Sequence, residues 1–222
     1  MTVALRQPSS TLNITGQNFL RCLRSAPHHT EPYEHWLLSD ALPLGDVDAI
    51  AALPFAPPGT AIFNGKRETN NATRVYFTRE NQDKFSVCAA LVGAFNHPEM
   101  KAAITAETGA PVDQGHLRIE YCQDVEGFWL EPHLDIKVKL FTMLVYLSDD
   151  PNLYDAGTDI YDDTPEHNRV ATVPYEKNKG LIFIPGHNTW HGFSRRPIRG
   201  LRKSIIINYV TDAWRDKWEL TY

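Results

Sequence analysis

Cysteine is scarce in this chain: Cys22, Cys88 and Cys122 are the three among 222 residues. An odd, widely spaced set outlines neither a disulfide framework nor a thiolate cluster for zinc. Long apolar runs are missing too, since none approaches the roughly 18 to 20 residues needed to cross a bilayer. The first residues, Met1–Arg6, lack the basic segment and apolar stretch of a secretory signal. A cytoplasmic location with no membrane partner is the expectation. Positive charge is not in excess, and a formal charge of -5 with His neutral removes the electrostatic reason to expect nucleic acid. Internal repeats and low-complexity segments are absent. What is present is the profile of an ordinary globule, 42% hydrophobic and 22% charged, of a length that suits one domain with trimmings.

Residues 1–32, with Pro8-Ser9-Ser10-Thr11 and Ala26-Pro27-His28-His29, read as an irregular lead. Residues 33–114 read as supporting helices and first strands of the same domain. Asp46–Leu53 is a short helix stopped by Pro54, which has no N–H to continue it. Phe85, Cys88, Leu91, Val92 and Phe95 recur at spacings of three and four, predicting one helix over residues 80–95. A further helix starts at Pro98 and ends at Gly109. Residues 115–222 form the core and a C-terminal extension. There the β-rich runs 116–123, 138–147, 169–174, 180–185 and 202–210 are separated by Asp-, Gly-, Asn- and Pro-rich turns. Strands this dense, without crossover helices, predict an antiparallel double sheet of the jelly-roll, cupin-like kind with helices packed outside.

Chemistry gathers around Glu131-Pro132-His133-Leu134-Asp135 and the later Trp190-His191-Gly192. In an extended strand His133 and Asp135 point to the same side, and a hairpin can return His191 to them. Two imidazoles and one carboxylate, with other positions open, are the usual ligands of non-haem Fe(II) oxygenases. On the run 202–210, Arg202, Ser204, Ile206 and Asn208 share one face. A buried arginine requires an anion, and its planar fork suits a carboxylate, so an organic acid is expected beside Arg202 and Ser204.

These residues resemble the Fe(II)- and 2-oxoglutarate-dependent oxygenases, built on a distorted double-stranded β-helix. The family's H-x-D/E…H triad falls on His133, Asp135 and His191. Its Arg-x-Ser pair, commonly about ten residues after the distal histidine, falls on Arg202 and Ser204, with Arg202 eleven positions on. The resemblance covers roughly residues 115–210 and is nearest to the prolyl 4-hydroxylase-like branch, through Tyr146-Leu147-Ser148 and the Gly157-Thr158 turn. That branch usually has a Gly-Gly pair where this chain has Ala156-Gly157. The resemblance implies a mainly β fold with flanking helices, Fe(II), 2-oxoglutarate as co-substrate, O2, and release of succinate and CO2. Asp135 stands where halogenating relatives carry a small residue, which disfavours halogenation.

Tyr121, on the strand before the triad, is a further candidate for 2-oxoglutarate, with a core tyrosine whose hydroxyl is satisfied at the edge as the alternative. Arg118 has the opposite parity on that strand, so the two cannot face one cavity without a bulge. Substrate contacts are expected from Arg118, Asn64, Arg67, Arg74, Trp190 and Asn208, with packing the alternative for Trp190. Arg195 and Arg196 read either as anion-binding or as a solvated basic turn. No metal role is expected for the other histidines. Hydroxylation of a small soluble molecule is the leading expectation. A cupin-type iron enzyme without 2-oxoglutarate and a non-catalytic β-sandwich binding module are the alternatives. A homodimer stays open, because Trp214, Trp218 and Tyr222 can cover the same subunit or a neighbour.

Overall fold

The computed structural model describes residues 11–59, 63–66 and 74–222; Arg67 lies outside them. The N-terminal segment is not irregular throughout. Helix α1 (Ile14–Ser25) begins at Asn13, whose side chain accepts from the Gly16 amide and donates to the Ala90 carbonyl. Phe19 and Leu20, four and three residues before Leu23, are buried with it, each such burial being worth about 1.5–3 kcal/mol. That spacing behind an Asn cap is a helix signature, hidden by the proline-rich flanks.

Strands β1 (His28–His29) and β2 (His35–Leu38) follow, then α2 (Leu44–Ala51), which starts and ends two residues before the expected Asp46–Leu53. After β3 (Val75–Tyr76) the expected single helix over 80–95 is two: α3 (Arg79–Lys84) and α4 (Ser86–Asn96). Phe85 is extended (φ -128°, ψ 112°) and its ring meets Phe55 edge-on at 5.5 Å. The extended residue lets an aromatic ring pack that a continuous helix would aim elsewhere. Helix α5 (Pro98–Thr108) ends on Gly109 at φ 74°, the left-handed cap that glycine adopts without penalty. Among the described residues no helix is long and apolar enough to cross a membrane.

The remaining strands are β4 (His116–Asp124), β5 (Leu130–His133), β6 (Lys139–Tyr146), β7 (Asp159–Tyr161), β8 (Arg169–Thr172), β9 (Gly180–Phe183), β10 (His191–Phe193) and β11 (Arg202–Val210). They form two antiparallel sheets, ordered β1-β2-β9-β6-β11-β4-β3 and β5-β10-β7-β8. The protein is therefore mainly β, a double sheet with helices on one side.

Alternation along β11 separates the two cores. Ile205, Ile207 and Tyr209 join Ile119 and Tyr121 of β4, Phe95 of α4 and Phe19 of α1 in the core under the helices. Arg202, Ser204, Ile206 and Asn208 turn the other way, toward the small sheet. There Tyr146, Ile160, Phe183 and Phe193 form the second core.

Candidate metal centre

The register between β5 and β10 sets His133 directly opposite His191, with ring centroids 4.4 Å apart. Gly192 permits this approach, since a side chain there would begin 2.9 Å from the Leu130 and Glu131 carbonyls. Each histidine Nδ1 lies 2.9 Å from a backbone carbonyl, of Glu131 for His133 and of Thr189 for His191. A carbonyl only accepts, so Nδ1 carries the proton and Nε2 keeps its lone pair for a metal.

Strand β5 stops at His133, so Asp135 sits in the following loop rather than on the strand. The period-two argument for their common direction is corrected by this. What aims Asp135 is a pair of donors: Lys139 Nζ to Oδ1 and Thr142 Oγ1 to Oδ2, both at 2.6 Å. The ligand atoms of His133, Asp135 and His191 all lie within 4.8 Å of one another. Burial would raise the Asp135 carboxyl, but the Lys139 ammonium, His191 and the two hydrogen bonds hold it well below the usual range. Burial and the neighbouring His191 lower His133 to about 3. A neutral His133 imidazole beside an ionised carboxylate suits a divalent metal.

Inward from the triad, a cavity is lined by residues of both sheets, among them Arg74, Asp124, Thr158, Phe193, Arg202 and Ser204. Arg202 donates from Nε to the Ala156 carbonyl at 2.6 Å and from Nη1 to Asp124 Oδ2 at 2.5 Å. Arg74 Nη1 takes the other oxygen, Asp124 Oδ1, at 2.7 Å. All three side chains are almost wholly buried. Two guanidiniums on one carboxylate leave one net positive charge. Among the described residues, Ser204 Oγ and Arg74 Nε are buried without a hydrogen-bond partner, a state that costs about 1–3 kcal/mol per group. An anion with several acceptor oxygens suits this end of the cavity. The two nitrogens and one oxygen at the other end suit ferrous iron.

The turn that supplies the Ala156 carbonyl depends on Gly157, where a Cβ would lie 1.6 Å from the Val173 carbonyl oxygen. Gly157→Ala is expected to destabilise the protein by about 3 kcal/mol, lowering Tm by roughly 6–12 °C. An unchanged thermal melt would show that the turn yields freely.

Across the triad from this cavity lies an outer cleft of about 500 Å³, bordered by Lys66, Arg118, Glu131, Ile136 and Trp214 and sharing His133, Asp135 and Lys139 with the inner cavity. Arg118 reaches it, but its guanidinium is tied to Glu120, Glu219, Asn208 and the Tyr76 hydroxyl. Four partners make it a brace for the C-terminal extension.

Several expected contacts are corrected. Tyr121 faces the core under the helices, 5.7 Å from the Phe55 ring, and does not line the cavity; the parity conflict resolves in favour of Arg118. Asn208 is buried between Arg118 and the Phe141 carbonyl and Thr142 hydroxyl, and lines neither space. Trp190 lies tilted against His167 with ring centroids 3.8 Å apart and donates to Asp163, and lines neither space. Asn64 accepts from the Lys66 amide and lines neither space. Arg74, expected to touch substrate, lines the inner cavity and not the outer cleft. Arg195 lies over the Trp129 ring. Arg196 is not a solvated turn residue, since it binds Asp159 and the Asp155 and Gly157 carbonyls. Lys139, Thr142 and Asp124 were missed. Lys139 carried a weak signal, being four residues after Asp135.

No protein-family model matches the sequence, and no curated protein does. Solved structures do match the fold. A prolyl 4-hydroxylase from Pseudomonas putida superposes with a TM-score of 0.57 at 13% identity, over 88% of this chain and 98% of its own. One from Phytophthora capsici gives 0.58 at 13%, over 93% and 69%. The non-heme alpha-ketoglutarate-dependent carbocyclase SnoK from nogalamycin biosynthesis gives 0.54 at 14%, over 91% and 87%. With its two antiparallel sheets and outer helices, the chain has the double-stranded β-helix fold of the 2-oxoglutarate oxygenases, in the form found in prolyl 4-hydroxylases.

Proposed function

We propose that this protein is an Fe(II)- and 2-oxoglutarate-dependent oxygenase that hydroxylates a small soluble substrate with release of succinate and CO2. The observation that carries the reading is the place of the triad. Its three ligand atoms converge within 4.8 Å between an inner cavity ending in Arg202 and Ser204 and an outer cleft. A non-catalytic binding module has no need of that junction, and an iron enzyme without a dicarboxylate co-substrate has no need of the buried cationic end.

In this reading His133, Asp135 and His191 hold the iron. Bound iron, with 2-oxoglutarate and O2, supplies the oxidising power that replaces a substrate C–H bond by C–OH. The protein's part is position. The Glu131 and Thr189 carbonyls lock the two imidazole planes. Lys139 and Thr142 hold the carboxylate while leaving each oxygen a further lone pair. Arg202 and Ser204 receive the distal carboxylate of the co-substrate, and Leu144, Phe128 and Phe193 give the inner cavity apolar walls that strengthen this pairing by excluding water. Substrate enters by the outer cleft, which Glu131, Ile136 and Trp214 border. A carboxylate beside apolar surface suits an amino acid or related metabolite.

The test is succinate release dependent on Fe(II) and 2-oxoglutarate, screened over amino acids and organic acids, with the product's mass measured. A gain of one oxygen supports hydroxylation, and a loss of two hydrogens supports desaturation. Arg202→Ala is expected to raise the 2-oxoglutarate half-saturation at least about tenfold, the effect of losing one charge-assisted hydrogen-bonding partner. An unchanged half-saturation removes Arg202 from the co-substrate site.

A further inference from the structure

Arg74 lies one residue before β3 and far in sequence from the strands that carry the triad, yet its guanidinium reaches the inner cavity. We infer that Arg74 is a second anchor for the co-substrate's distal carboxylate, forming with Arg202 and Ser204 a two-arginine cradle whose spacing is set by Asp124. This rests on the 2-oxoglutarate reading of the cavity and adds a residue that the Arg-x-Ser pattern does not contain.

Three features lead to it. The first is charge: Asp124 engages both guanidiniums, one per oxygen, so it neutralises one of them, and the pair retains a single positive charge. Buried charge of this kind is stable only when matched, and one carboxylate matches it. The second is the unspent donors. Arg74 and Ser204 both line this cavity, and Arg74 Nε and Ser204 Oγ are buried without a hydrogen-bond partner among the described residues. The third is rigidity. Arg202 is fixed from behind by the Ala156 carbonyl, and Asp124 ties Arg74 to it, so the two forks keep their separation without ligand. A donor held at a fixed place loses little entropy on binding.

The alternative is that Arg74 serves only as a partner for Asp124. Anaerobic calorimetry of the Fe(II)-loaded protein separates the two, with 2-oxoglutarate and pyruvate as probes. Pyruvate has the same oxoacid head but no distal carboxylate. Arg74→Gln is expected to weaken 2-oxoglutarate at least about tenfold, while Fe(II) affinity and pyruvate affinity stay within about twofold of the parent. Arg74→Lys keeps the positive charge beside Asp124 but lacks the Nε donor and the fork. It serves if the glutamine variant folds poorly, and it is also expected to lose 2-oxoglutarate selectively. Unchanged 2-oxoglutarate affinity in either folded variant overturns the inference, as does an equal loss for both probes. A parent protein that binds Fe(II) but not 2-oxoglutarate overturns the proposed function itself, and this inference with it. Selective loss in Arg202→Ala but not in the Arg74 variants leaves the function standing and removes Arg74 alone.

Discussion

Asp135→Ala is expected to abolish Fe(II)-dependent succinate release and to weaken Fe(II) binding more than about a hundredfold, equivalent to about 2.7 kcal/mol or more. The loss has two parts. One is the missing ligand, which leaves two imidazoles. The other is the lysine it leaves behind: Lys139 donates to Asp135 at 2.6 Å with both side chains nearly inaccessible to solvent. Without the carboxylate, a buried ammonium loses its Asp135 partner beside the place proposed for a divalent cation. Repulsion between such charges in a partly dry site is on the order of several kcal/mol. Asp135→Asn keeps the shape and an acceptor oxygen but not the charge, so it should fall between the parent and the alanine variant. Anaerobic Fe(II) titration with a thermal melt on the same samples decides the matter. Iron affinity retained within a few-fold, in a folded alanine variant, would remove Asp135 from the metal site.

The largest effect on stability is expected from Asp124→Ala. Its carboxylate, 2% exposed, is shared by Arg74 and Arg202, which are themselves 8% and 5% exposed. Deleting one partner of a buried ion pair costs about 3–5 kcal/mol, because the charge left behind is uncompensated; here two are left. For a chain of this size that corresponds to a fall in Tm on the order of 10 °C or more. A dicarboxylate that occupies the cavity should return part of the loss by binding only the folded state. Saturating 2-oxoglutarate is therefore expected to raise Tm more in Asp124→Ala than in the parent. A melt within 2–3 °C of the parent would mean that water reaches the two arginines and that the cluster is not dry.

Much of this molecule is local and could be read along the chain. The helix that ends on Gly109 needs one residue free to adopt positive φ. The helix before Pro54 needs only the missing N–H. The alternation on β11 assigns Arg202, Ser204 and Asn208 to one face before any partner strand is known. The candidate metal ligands were legible for a chemical reason, since two histidines and an aspartate that can converge suit a divalent metal. Short or interrupted elements were not legible. The strands β5, β7 and β10 have three or four residues each, too few to show a period, and the break at Phe85 is made by a ring contact with Phe55 rather than by a helix-stopping residue.

The chain by itself thus determined which residues alternate, where helices stop and which side chains are able to bind iron, because backbone geometry and ligand chemistry act over a few neighbouring residues. Tertiary structure alone decided that Tyr121 packs under the helices, that Asp135 is aimed by Lys139 and Thr142, and that Arg74 shares Asp124 with Arg202. The shared Asp124 depends on contacts across 50 and 78 residues of sequence, whereas Asp135 is aimed across four and seven residues by the way the chain turns from β5 into β6. These outcomes are set by strand register and by the need to match every buried charge, and neither is a property of any one segment.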